Sequence, residues 1–123
     1  MVLLYVAAVL TIGVGLVHSI LGKRYLISRL PREEGMPRIL GSRKFSFLTL
    51  RFAWHITTIE WFGFAGILVL MAHGAVSKQS LAMVIAATFL VSGLITLVVS
   101  RGRHFAWVVF LAIGAIALYE ATI

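Results

Sequence analysis

Four long apolar blocks alternate with three polar connections along the chain, and the blocks set the expected elements. Residues 2–21 form the first block, 20 residues without a charged side chain. At about 1.5 Å per residue, a helix of that length covers the ~30 Å hydrocarbon core of a bilayer. Residues 51–72, 81–99 and 105–121 repeat the pattern, which predicts an all-α fold: a polytopic membrane protein, one domain, built as a bundle of four transmembrane helices. Lys23 and Arg24 follow the first apolar block instead of preceding it, the reverse of a signal peptide, so that block is expected to persist as a mature helix.

Two blocks carry a ridge of small residues. Ala7, Thr11, Gly15 and Ser19 recur at intervals of four in the first, and Thr88, Ser92, Thr96 and Ser100 in the third. Such a ridge lets a neighbouring helix approach closely, so both are expected at helix contacts.

Charge then orients the threading. Lys23, Arg24, Arg29, Arg32, Arg38, Arg43, Lys44, Arg51, Arg101 and Arg103 fall at one end of the expected helices and Lys78 alone at the other, ten of the eleven basic residues. Basic residues collect on the cytoplasmic side, so both termini are expected outside and the connection 23–44 inside. That connection, broken by Pro31, Gly35, Pro37 and Gly41, interleaves apolar side chains with arginine, as suits short segments at the lipid headgroups. Lys23, Arg24, Arg29, Arg43 and Lys44 are its candidate contacts to anionic lipid. Trp54 and Trp107 near the inner interface, with Tyr5 and Tyr119 near the outer one, match an aromatic belt; Trp61, next to Glu60, does not.

Composition agrees with a membrane chain: 61% of residues are hydrophobic and only 12% charged, against about 25% charged in a soluble domain. The formal net charge of +7 therefore reports orientation, and no nucleic-acid partner is expected. With no cysteine, disulfides, thiolate metal sites and cysteine nucleophiles are excluded, which leaves His, Glu and hydroxyl groups as site chemistry.

The stretch Arg51 to Trp61, RFAWHITTIEW, concentrates that chemistry inside an apolar block. Ionisable groups deep in lipid cost at least ~2.5 kcal/mol each, so His55 and Glu60 need a bundle interior, a partner or water. Counting from the span ends puts His18 and His55 at similar depth on antiparallel neighbours, where they are expected to meet, with Thr96 at about that level and His104 nearer the surface. Arg51 and His55 share a helix face, about 40° apart, whereas Glu60 points about 140° away from His55. The second helix is thus expected to present two polar faces, one to the first helix and one to the third or to a second subunit. Thr11, Ser92 and Thr57 are candidate partners for Glu60. Desolvation disfavours its charged form, and a neutral Glu60 suits either a hydrogen-bond tie or a proton carrier. The candidate intramembrane cluster is His18, Ser19, Arg51, His55, Thr58, Glu60 and Thr96. Glu120 has Lys78 or His73 as candidate partners at the outer end.

HSILGKRYLI (18–27) and LRFAWHITTIEW (50–61) resemble a group of small four-span bacterial inner-membrane proteins with an HS-x-LG segment ending the first span and an R-x-x-WH-x-T segment opening the second. The resemblance covers about the first half of the chain, implies multi-pass insertion in a bacterial inner membrane and transfers no catalytic residue. Glu60 lies outside the shared pattern.

Several functional readings follow. First is a structural or interaction component, an oligomeric bundle in which the polar residues are packing contacts. Second is a proton-linked or ion channel or transporter using Glu60, His55 and His18. Third is a haem or divalent-metal protein with His18 and His55 as ligands and Gly15 and Gly22 leaving space beside His18, although no HxxxH or ExxH motif accompanies them. Catalysis is the weakest: Ser19 beside His18 and Thr58 near His55 lack an orienting acid.

Overall fold

The computed structural model describes all 123 residues, Met1 to Ile123. It is all-helical: α1 (Val2–Leu21), α2 (Arg43–Ala72), α3 (Lys78–Ser100) and α4 (Ala106–Thr122). α1 runs on into a π-helical turn over Gly22–Ile27, and a 3-10 turn covers Leu30–Arg32. Three helices are long and apolar enough to cross a membrane, α1 with its continuation, α2 and α3. α4 is apolar but shorter, 17 residues or about 25 Å.

α2 begins earlier than the apolar run starting at residue 51. Ser42, in extended backbone, accepts a hydrogen bond from Phe45 N at 3.1 Å and caps a helix of 30 residues, about 45 Å long. The apolar run from Arg51 on is already long enough for a ~30 Å core, so the first two turns, with Arg43 and Lys44, are an extension at its basic end. The preceding chain is pinned to this extension: Ser46 Oγ donates to Pro37 O at 2.6 Å and accepts from Ile39 N at 2.8 Å, and the Arg43 guanidinium donates to Glu33 O. Within this connection Ile27 and Met36 are buried.

The helices pack in chain order, α1 on α2, α2 on α3 and, most extensively, α3 on α4. Each contact is made where a small residue admits a large one. Gly15 receives Phe62, with 3.1 Å between the ring and the position a Cβ would take. Gly63 receives Thr88 in the same way. Gly93 and Gly114 are reciprocal: Leu111 fills the space beside the first, Leu90 the space beside the second. The ridge of α3 lies inward, with Ser92, Thr96 and Ser100 buried.

Opposite ends of the helices differ in charge. Lys23, Arg43 and the α3–α4 turn with Arg101 and Arg103 share the basic end. At the other end Lys78 Nζ lies 2.6 Å from Glu120 Oε2, and Tyr5 Oη lies 2.9 Å from His73 Nδ1. Both partners of the ion pair are well exposed, at 63% and 42%, which limits its contribution to about 1 kcal/mol or less.

Candidate functional site

The polar residues within the apolar helices divide between two helix contacts. At the α1–α2 contact, the His18 ring lies flat on the Trp54 indole, centroids 4.2 Å apart and planes 6° from parallel. Trp54 Nε1 donates to His18 O at 3.0 Å, and His18 Nε2 lies 3.2 Å from Trp54 O. A carbonyl only accepts, so Nε2 carries the proton. Gly22, one turn after His18, makes this possible: a Cβ there would stand 2.1 Å from Trp54 Nε1. Trp61 also lies against His18, with ring centroids 5.0 Å apart and planes tilted by 59°.

One turn of α2 beyond Trp54, a chain of hydroxyl groups crosses the same contact. His55 Nδ1 lies 2.9 Å from Ser19 Oγ, Ser19 Oγ lies 2.6 Å from Thr58 Oγ1, and Thr58 Oγ1 donates to Gly15 O at 3.2 Å. The terminal carbonyl sets the direction. Thr58 spends its only proton on Gly15 O, Ser19 then donates to Thr58, and His55 Nδ1 must donate to Ser19. Neutral His55 therefore carries its proton on Nδ1 and neutral His18 on Nε2, opposite tautomers one residue-pair apart.

This direction decides what the group can do chemically. His55 donates to Ser19, so it does not act as the base that a Ser19 nucleophile needs. The chain ends on a backbone carbonyl, which cannot pass a proton onward. His18 and His55 do not bond each other but each its own partner, and no group of three or more His or Glu side chains converges here or elsewhere; His18 Nδ1 and His55 Nε2 keep their lone pairs free.

Glu60 stands apart, at the α2–α3 contact. Ser92 Oγ donates to Glu60 Oε1 at 3.2 Å, while Thr11 and Thr57 donate to Ala7 O and Ala53 O in their own helices. Glu60 Oε2 has no hydrogen-bond partner, and Glu60 lines a lateral groove of about 250 Å³ walled by Phe64, Ile67, Ile85 and Phe89. Thr96 is fully buried, donates to Ser92 O at 2.8 Å, and does not join the histidines. Arg51 shares the His55 face only loosely: its side chain is exposed and makes no ion pair. His104 packs between Phe52 and Phe45, at centroid distances of 5.0 and 5.9 Å, at the basic end.

The basic residues of the first connection behave differently from one another. Lys23, Arg24 and Arg29 are exposed, Arg24 lying over the neighbouring Tyr25 ring. Arg43 is turned onto Glu33 O, and Lys44 lines a cavity with Arg101 and Arg103.

Trp54 reads in the sequence as an aromatic-belt residue and Gly22 as space beside His18; in the structure the indole stacks on His18 and fills the space over Gly22. Gly22 lies one helical turn after His18, and Trp54 immediately precedes His55. No protein-family model matches the chain, and no curated protein or solved structure is similar to it.

Proposed function

We propose that the protein is a four-span component of a bacterial inner membrane, both termini outside, that acts as a structural or interaction protein and assembles as a homo-oligomer with anionic lipid at its basic inner face. The observation that carries this reading is where the polar groups go. His18, Ser19, His55, Thr58 and Trp54 spend their hydrogen bonds tying α1 to α2, and Ser92 ties α3 to Glu60 on α2. No buried side-chain N or O is left without a partner. Interhelical hydrogen bonds and small-residue contacts are what hold helices together in lipid, where apolar burial offers no driving force. Packing in chain order also leaves the outer faces of α1 and α4 unpaired, which favours assembly with further copies.

Subunit counting by native mass spectrometry from nanodiscs tests the assembly, with an oligomer expected and a monomer at all concentrations counting against it. His55→Ala and Ser19→Ala are expected to lower thermal stability in detergent while purified protein in vesicles conducts neither protons nor other ions.

A second reading, a proton or small-ion path, is favoured by one observation: the unpartnered oxygen of Glu60 beside an apolar groove. Intramembrane acids of this kind mark proton relays. Proton flux in vesicles that disappears in Glu60→Gln would put this reading first.

A further inference from the structure

At the basic end, the start of α2 and the turn between α3 and α4 enclose a cavity of about 180 Å³. Its lining brings together Lys44, Arg101 and Arg103, from segments nearly 60 positions apart in sequence, with the apolar side chains of Phe45, Leu48 and Val99. No carboxylate neutralises these cations, because the one ion pair of the protein joins Lys78 and Glu120 at the opposite end. The two hydroxyl groups of the lining, half-buried Ser42 and buried Ser100, are each half used. Ser42 Oγ accepts from Phe45 N and Ser100 Oγ accepts from His104 N, and neither donates its own proton within the protein.

Arg101 is placed there against its backbone preference. It sits at the end of α3 with φ 51 and ψ 40, the left-handed conformation in which glycine is at home. A glycine would serve the turn better; what the arginine adds is a guanidinium at the cavity.

We infer that this cavity is a binding site for the phosphate headgroup of one anionic phospholipid, with Lys44, Arg101 and Arg103 as its cations and the apolar side chains receiving the first segment of an acyl chain. Three unpaired cations and two free hydroxyl donors match the acceptor oxygens of a phosphate diester. Phe45, Leu48 and Val99 favour a lipid over free phosphate, since they offer nothing to an ion alone. The site rests on the membrane reading above and differs from the diffuse attraction of the 23–44 connection in being a formed cavity.

The test is native mass spectrometry of the full chain released from nanodiscs containing equal phosphatidylglycerol and phosphatidylcholine. One phosphatidylglycerol retained per chain is expected, preferred over phosphatidylcholine by roughly tenfold or more. The preference is expected to vanish in the triple variant Lys44→Gln, Arg101→Gly, Arg103→Gln and to persist in the Lys23→Gln, Arg24→Gln double variant, which removes cations outside the cavity. Arg101→Gly alone is expected to weaken retention while raising the unfolding temperature, so loss of lipid is separable from loss of fold. Equal retention of both lipids, an unaffected triple variant, or equal loss in the Lys23 and Arg24 variant would overturn the site. Displacement of the lipid by millimolar inorganic phosphate would reassign it to a free anion and overturn the lipid. A chain recovered in the soluble fraction would overturn the membrane reading itself, whereas an inserted chain with no retained anionic lipid would overturn this inference alone.

Discussion

His18 and Trp54 hold each other twice, each side chain bonded to the other's backbone carbonyl while the two rings stack at 4.2 Å. A pair closed on itself in this way ties α1 to α2 at the point where α1 gives way to its π-helical turn. A wider turn of this kind displaces the helix register locally and often marks a specialised position. Here it coincides with Gly22, the residue over which the indole lies.

Gly22→Ala is expected to expel the indole, since the added carbon would stand 2.1 Å from Trp54 Nε1. Overpacking of this kind costs about 1–3 kcal/mol. Trp54→Phe keeps an aromatic face for His18 but removes the donor to its carbonyl, at about 1 kcal/mol. Thermal unfolding in detergent, followed by circular dichroism, is expected to rank the two variants in that order.

The opposite tautomers of the two histidines are directly measurable. In protein labelled with nitrogen-15 histidine, neutral His18 is expected to show a protonated Nε2 and neutral His55 a protonated Nδ1. Ser19→Ala removes the acceptor of His55 and is expected to redistribute its proton while leaving His18 unchanged, at a stability cost of about 1–2 kcal/mol. A His55 signal with Nδ1 unprotonated in the parent protein would reverse the direction of the hydroxyl chain.

Glycines in the helices are expected to respond with opposite signs. At Gly93 and Gly114 a Cβ would meet Leu111 and Leu90 at 2.7 Å, with backbone nitrogens at 3.1 and 3.0 Å, so neither contact is relieved by a side-chain rotation alone. Alanine at either position is expected to destabilise by about 1–3 kcal/mol through separation of α3 from α4. Gly13 has nothing within 4 Å of a Cβ, and alanine there is expected to be neutral or stabilising by up to about 1 kcal/mol.

Topology is testable cleanly because the chain has no cysteine. In intact cells, a membrane-impermeant maleimide is expected to label Ala75→Cys, between α2 and α3, and not Gly35→Cys, in the basic connection. Both positions are exposed, so burial does not explain a difference. Labelling of position 35 from outside would invert the proposed orientation.

Helix content, the number of helices and the gathering of basic residues at one end were legible in the sequence, because hydropathy and charge are sums over neighbouring residues and need no knowledge of partners. Helix starts were less so: the apolar run begins near Arg51, but the helix begins at Arg43, where the capping Ser42 hydroxyl rather than hydropathy decides. Which polar groups meet was decided only by the tertiary structure. Depth offered Thr11 and Ser92 to Glu60, and helix spacing offered Thr57; the packing of α3 on α2 selected Ser92 while the two threonines turned to their own helices. His18 and His55 share a level, yet one stacks on Trp54 and the other joins Ser19, since helix azimuth, not depth, determines which side chains face each other. Lys44, Arg101 and Arg103 read as separate orientation signals along the chain; only the return of α3 beside the start of α2 brings them into the lining of one cavity.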